Sequence, residues 1–269
     1  MFIGSTAAST PTSVALFLLL PFVLLFFSHG AFGVDFPAPI QKCHMNDEKC
    51  MIEQAQKILS TYQHGNAELG LPDLEPFRLE KLDVLNDDKS PNHINLHLSD
   101  LKFHNYSQLM FKKIRGFSQD LTKPMKIISQ SVIPVLSLTA KYKINGKVLV
   151  LPIVGEGDLE CILTDLDVKT VMKVMPEKRD GKTFLKINDY RAMSKSKNIH
   201  IDMTNLFNGD AALSENMLKL LNENWALMGD EIQPKIDDAF AAENVKTLKK
   251  LLESVPYEDF FLRETSSNQ

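Results

Sequence analysis

From Ile94 to about Ile201 the apolar positions mostly recur at every second residue. Ile94, Leu96 and Leu98 alternate with Asn95, His97 and Ser99, and Leu136, Leu138, Ala140, Tyr142 and Ile144 alternate with polar neighbours. That period predicts strands with one buried face. Asn145-Gly146 gives a type I′ hairpin signal before Lys147–Leu151. Farther on, Ile162, Thr164, Leu166, Val168, Thr170, Met172 and Val174 read as one face, opposite Asp165, Asp167, Lys169 and Lys173. Asp180-Gly181 marks a turn, and Phe184, Leu185 and Ile187 restart the pattern. A strand from Ile162 to Val174 would span on the order of 40 Å.

After Asn205-Leu206-Phe207-Asn208-Gly209-Asp210 the period changes to three and four. Leu213, Met217, Leu220, Leu221, Trp225, Met228, Ile232, Ile236, Phe240, Leu248 and Leu252 mark the buried face of one long helix starting at Ala211. Asn208 or Asp210 can cap its start. About 42 residues make a rod of roughly 60 Å, with Gly229 and Pro234 as the expected places to bend. A shorter amphipathic helix is marked by Met51, Ile52, Ala55, Ile58, Leu59 and Tyr62 and ends near Gly65; Leu69–Pro76 follows as an extended linker. Long antiparallel strands with one apolar face need a second layer. The C-terminal helix is the only element of matching length, so a curved sheet wrapping it satisfies both.

The apolar run Val14–Phe27 has the length of a signal-peptide core and is short for a membrane span. Its leader lacks Lys and Arg, and an uncleaved anchor is the competing reading. Small residues at Ala31-Phe32-Gly33 place the expected cut after Gly33. The organisation read from this is a signal peptide at 1–33, one domain at 34–264 and a polar tail at 265–269, in a secreted, extracellular protein with no stable membrane insertion after cleavage. The net charge of −4 gives no reason to expect nucleic acid.

An oxidising compartment changes how the three cysteines read. Asn46-Asp47-Glu48 looks like a helix start, which leaves Cys43 outside the helix and Cys50 in its first turns, within reach of a disulfide. A redox or metal role has no CxxC and no convincing third ligand beside His44. Cys161 is left as a buried thiol. Asn105-Tyr106-Ser107 is a sequon and marks a surface glycan site at Asn105.

Catalytic signatures are missing. Gly155-Glu156-Gly157-Asp158-Leu159-Glu160 superficially resembles a dinucleotide fingerprint, but Glu160 replaces the third glycine and no helix pattern follows, so the stretch reads as a turn. There is no GxSxG, Walker motif or HExxH. His93 and His97, four residues apart on a strand, are separated by ~13 Å, too far to share a zinc ion. Asp165, Asp167 and Glu75 have no visible basic or nucleophilic partner. No catalytic residue, metal or cofactor is expected. Eleven methionines supply flexible apolar filling, as ordinary core or as an adaptable wall around a lipophilic ligand.

The blocks Ile199-His200-Ile201, Asn205–Asp210, Leu221-Asn222-Glu223-Asn224-Trp225, Pro234 and Val255-Pro256-Tyr257 resemble the insect takeout family, related to haemolymph juvenile hormone binding proteins. Paired Cys43 and Cys50, Glu68–Pro72 with Pro76, Lys141–Gly146 and Leu151-Pro152-Ile153 extend the resemblance over nearly the whole mature chain. It implies an α+β domain of the TULIP type: a long C-terminal helix wrapped by a strongly curved antiparallel β-sheet, with an internal apolar tunnel. It further implies a secreted binder of juvenile hormone or another lipophilic molecule, in a family linked to feeding, circadian output and chemosensation. The family's N-terminal disulfide maps onto Cys43 and Cys50. The hormone binders' second disulfide has no counterpart, since Cys161 lacks a partner, which places the chain on the takeout side.

The expected function is therefore a non-enzymatic carrier of a terpenoid hormone, fatty acid or similar lipid. Candidate tunnel-lining residues are Leu138, Tyr142, Leu166, Val168, Met172, Met217, Leu221, Trp225, Met228 and Ile232. The reading from another class is an extracellular interaction protein with a filled core, acting on a receptor through its surface. A lipid hydrolase is the third, without a visible nucleophile–base pair.

Overall fold

The computed structural model describes residues 40–67, 71–85, 94–148 and 151–262. The proposed leader, the polar tail and His93 lie outside them. Helix α1 (Glu48–Thr61) leads into the short paired strands β1 (His64–Asn66) and β2 (Leu71–Asp73). One large antiparallel sheet follows: β3 (Phe77–Leu85), β4 (Ile94–His104), β5 (Met110–Arg115), β6 (Met125–Val148), β7 (Leu151–Arg179), β8 (Lys182–Lys195) and β9 (Asn198–Met203). Two helices close the chain, α2 (Ala211–Glu223) and α3 (Trp225–Ser254). The sheet runs β3-β4-β6-β7-β8, with β5 added to β6 and β9 to β7, and it does not close into a barrel.

The 24 residues of β6 and 29 of β7 form its spine. At ~3.3 Å per residue a straight β7 would reach about 95 Å, twice the ~45 Å of α3, so the strand must coil and bend. Both spine strands reverse which side chains face inward, at the same level. In β6 the inward series is Met125, Ile127, Ser131, Ile133 and then Leu136, Leu138, Ala140, Tyr142. In β7 it is Ile153, Leu159, Cys161, Leu163 and then Leu166, Val168, Met172, Val174. Pro134 and an exposed Val135 mark the switch in β6; Asp165, with φ of 48°, marks it in β7. Ile133 pairs with Leu166 and Val135 with Thr164, so the register survives because the two strands switch together. Ile162 and Thr164, expected on the face of Leu166, lie instead on the opposite phase, and Cys161 and Leu163 take the inner positions.

Neighbouring strands change partner at this level as well. On β6, β5 covers Ile128–Val132 and β4 covers Ser137–Gly146. On β7, β8 pairs with Asp167–Arg179 and β9 with Leu159–Thr164. The link between β8 and β9 is held by buried Ser196, whose Oγ lies 2.8 Å from the Thr164 carbonyl and 2.7 Å from that of Asn198. A second phase change in β4, at Asp100 (φ 50°), turns Leu101 and Phe103 inward after Leu98.

Two stretches expected as turns are strand instead. Asn145 pairs with Val154 and Gly146 with Ile153, and the ladder continues to Val148 and Leu151, so Asn145-Gly146 is not the turn. Cross-strand ion pairs Lys141–Asp158 and Lys143–Glu156 (3.2 Å) lie along this extended ladder. Gly155–Glu160 is likewise strand, not turn. Its glycines serve close approach: a Cβ on Gly157 would sit 2.5 Å from the Thr204 carbonyl oxygen, and one on Gly155 would sit 3.0 Å from Leu206 Cα. The Asn205–Asp210 block crosses β7 there, with Asn205, Phe207, Asn208 and Gly209 all at positive φ. By contrast, the Asp180-Gly181 turn stands where the sequence puts it, between β7 and β8.

Asp210, not Asn208, caps the helical region, accepting from the Leu213 amide at 3.0 Å. The helix breaks at Asn224, whereas α3 runs through Gly229 and Pro234. At the break, the Asn224 backbone and side-chain amides both donate to the Leu220 carbonyl, at 3.1 and 2.9 Å. Two residues earlier the Asn222 amide mimics a strand rung, accepting from Ile201 N–H (2.7 Å) and donating to the Ile201 carbonyl (2.8 Å). These bonds fix α2 on β9, while α3 packs along β8. Docking on two different strands requires a change of direction between the helices, and Asn224 supplies it.

At the other end Asp47 caps α1 and Cys43 is bonded to Cys50 (S–S 1.98 Å). The α1 side chains occupy edge groups of β5: Gln56 accepts from Phe111 N–H and Glu48 from Ile114 N–H.

Candidate functional site

A cavity of about 170 Å³ lies between α3 and the inner face of the sheet, at the level where the spine strands switch phase. Its sheet wall is Ile133, Leu136 and Leu138 of β6, Cys161, Leu163, Leu166 and Val168 of β7, and Leu98, Leu101 and Phe103 of β4. Trp225, Gly229, Ile232, Ile236 and Phe240 of α3 form the roof, at the i, i+4 and i+7 spacing of one helical face. On both spine strands the inward residues nearest the switch are three apart instead of two, spreading two rows of side chains from ~7 to ~10 Å. Gly229 adds no side chain opposite, and a Cβ there would meet nothing within 4 Å.

One end is aromatic. Phe103 and Phe240 meet edge to face at 4.8 Å, and Phe77 stacks on Tyr106 at 5.1 Å. Burial, aided by repulsion from Tyr190, pushes the Tyr106 hydroxyl up to about 12, while its hydrogen bond to Asn244 works the other way. Asn244 also bonds Tyr190, whose own pKa is raised by burial. Burial likewise pushes the Cys161 thiol up to about 12, making it an inert member of the wall.

The α3–β8 seam carries the remaining polar groups. Asp237 accepts from the Ser194 amide (3.0 Å), the Ser194 hydroxyl (2.5 Å) and Gln233 Nε2 (3.1 Å). Gln233 Nε2 also donates to Ser194 Oγ at 2.5 Å. Ser194, Gln233, Asp237 and Asn244 all line the cavity. None stood among the sequence candidates. The available signal was a polar stripe, Gln233, Asp237 and Asn244, running within the apolar face instead of opposite it.

Of the ten candidates, Leu138, Leu166, Val168, Trp225 and Ile232 line the cavity. Tyr142, Met217 and Leu221 pack in the core beneath α2, with the Tyr142 hydroxyl donating to the Thr204 carbonyl at 2.6 Å. Met172 belongs to a second core cluster with Met125, Val174, Leu185 and Tyr257. Met228 is in α3, and its side chain lies outside the described residues.

Asn105 sits half-buried at a left-handed turn (φ 65°), with the Glu75 carboxylate accepting from its amide (2.9 Å) and from the Ser107 amide and hydroxyl. Glu75 thus clamps the sequon's backbone. His97 pairs with Asp83 at 2.7 Å, and Asp165 with Lys197 at 3.0 Å. Among the described residues no group of three His, Cys, Asp or Glu is placed to hold a metal, and no helix is long and apolar enough to cross a membrane.

An open, curved antiparallel sheet laid over long C-terminal helices, with an apolar cavity between the layers, defines a TULIP-like fold. The chain belongs to the haemolymph juvenile hormone binding protein (JHBP) family, matched over residues 22–262. It is 37% identical over 232 residues to the circadian clock-controlled protein daywake of Drosophila melanogaster, covering 85% of this chain and 89% of that protein. Daywake of Drosophila yakuba is 35% identical over 257 residues, covering 94% and 99%. The crystal structure of Epiphyas postvittana Takeout 1 superposes with a TM-score of 0.73 at 23% identity, covering 83% of this chain and all of that one. That likeness confirms the expected takeout-type fold.

Proposed function

We propose that the protein is a secreted, non-enzymatic carrier that holds a hydrophobic small molecule in the cavity between α3 and the sheet. The observation that carries this reading is the cavity itself: an unfilled interior space walled by Leu, Ile, Val and Phe in a family of binding proteins. A filled core would be the cheaper structure, because apolar volume left unfilled in a core costs about 24 cal/mol per Å³. An apolar ligand losing roughly 300 Å² to water would gain about 7 kcal/mol gross before ordering costs. Leu138, Leu166, Val168, Trp225 and Ile232, which line the cavity, are the proposed ligand contacts.

The proposal includes removal of Met1–Gly33 as a signal peptide, a single domain over residues 34–264 and a glycan on Asn105. Native mass spectrometry of delipidated protein, before and after exposure to terpenoids, long-chain alcohols and quinones, tests the carrier reading. Uptake of one such ligand per chain is expected. No uptake of any would refute it and favour a protein that acts on a receptor by surface contacts. N-terminal sequencing of material from the medium checks the cut.

A further inference from the structure

Every charged group that lines the cavity is negative. Among its described lining residues there is no Lys, Arg or His; the one charged side chain, along the seam, is the Asp237 carboxylate. Asp237 is held in place by Ser194 and Gln233, through three donated hydrogen bonds. A carboxylate offers about four acceptor positions, so one remains for a donor on a ligand. The other polar side chains of the lining, Tyr106, Asn244 and the indole of Trp225, are neutral, and Tyr106 and Asn244 are bonded to each other. Tyr190 behind them is a neutral phenol as well, and burial moves its pKa further up.

We infer that the cavity selects an uncharged, hydroxyl-bearing apolar ligand and rejects the carboxylate anion of a fatty acid. This deepens the carrier reading and rests on it. An anionic head inside an apolar wall needs a cation or several donors to replace its water. Here it finds no cation, the Ser194 and Gln233 donors are already given to Asp237 and to each other, and it meets the like charge of the half-buried Asp237 carboxylate. A hydroxyl at the same place donates to Asp237 and leaves no ionic charge unpaired. The seam also explains why Asp237 lies on the apolar face of α3: its position, one turn after Gln233 and opposite Ser194, sets the polar end of an otherwise apolar space.

The test compares uptake of hexadecanol and hexadecanoate by delipidated protein at pH 7.4, by displacement of a fluorescent lipophilic probe. The alcohol is expected to displace the probe at least tenfold more tightly than the acid. In Asp237→Asn, which keeps an acceptor for the Ser194 amide, the alcohol-to-acid ratio should fall at least fivefold. Gln233→Lys places a cation beside the carboxylate and should lower the ratio in the same direction, with circular dichroism confirming the fold of each variant. Equal affinity for acid and alcohol in the parent protein, or an unchanged ratio in both variants, overturns the inference while leaving the carrier reading intact. Uptake of neither ligand, nor of the probe, overturns both.

Discussion

Gly229 offers a direct perturbation of the cavity. Replacing it with leucine adds an isobutyl group to the α3 face that already carries Trp225, Ile232 and Ile236. The approach is unobstructed, since the first added carbon meets nothing within 4 Å. Three contributions decide the sign. Removing a glycine from a helix interior gains roughly 0.7 kcal/mol after allowing for leucine's own propensity. Burying the side chain gains about 1.5–3 kcal/mol, and fixing its rotamer costs about 0.5–1 kcal/mol. The delipidated variant should therefore be more stable by roughly 2 kcal/mol, raising its melting temperature by about 4–8 °C for a domain of this size. Ligand uptake should fall, because the added group occupies part of a space of only about 170 Å³. The assay pairs thermal unfolding of the delipidated protein with titration of a fluorescent lipophilic probe. Higher stability with unchanged probe affinity would place binding elsewhere. Lower stability would show that this face of α3 is not open, and would refute the reasoning about the cavity's origin.

Gly157→Val should destabilise by about 3 kcal/mol in urea unfolding, because its Cβ would fall 2.5 Å from the Thr204 carbonyl and strain the Asp158–Thr204 hydrogen bonds; a loss below about 0.5 kcal/mol would contradict the close crossing. Asp210→Ala should cost about 1 kcal/mol through the lost cap to Leu213 in the same assay, with Asp210→Asn nearly neutral. Burial raises Cys161 from 9.0 and Tyr142 from 10.0 to about 12 in the folded protein. Folded pKa values above the unfolded ones give stability that is complete below about pH 9 and is lost as pH climbs towards 12, so urea midpoints measured from pH 8 to 11 should decline. A thiol reagent at pH 8 should accordingly label Cys161 only on unfolding.

The sequence displays the layers but not the junctions between them. Period-two runs and the long period-four run are enough to predict a curved sheet on a long helix, because burial on one face imposes those periods regardless of detail. Asp210 as cap, Asp180-Gly181 as turn and Cys43 beside Cys50 are also legible, each being set by local chemistry. The turns expected at Asn145-Gly146 and Gly155–Glu160 are both replaced by strand. At Gly155 and Gly157 the glycine serves the passage of Asn205–Asp210 over β7, a partner about 50 residues distant, which local turn chemistry cannot register. The helix break misleads in a similar way. Gly229 and Pro234 are the weak points of an isolated helix, whereas Asn224 breaks the real one because α2 and α3 dock on different strands.

The cavity itself is hidden by the same non-local logic. A phase reversal in one strand would break its register with every neighbour, so Pro134 alone, or Asp165 alone, is an unremarkable irregularity. Only their pairing across β6 and β7, together with the exchange of β5 for β4 and of β8 for β9 at that level, lets the sheet continue while an inward row of side chains is spread apart. Five of the ten candidates line the resulting space because they flank this level; Tyr142, Met172, Met217 and Leu221 share the same apolar periodicity but lie where the two layers meet fully. Apolar pattern therefore identifies which residues face inward, and interruption of that pattern at matched positions identifies where the interior stays open. In this chain the interruption coincides with the stretch of α3 that presents a glycine and then, one turn later, the Gln233–Asp237 pair, so the space and its polar end are built by the same segment.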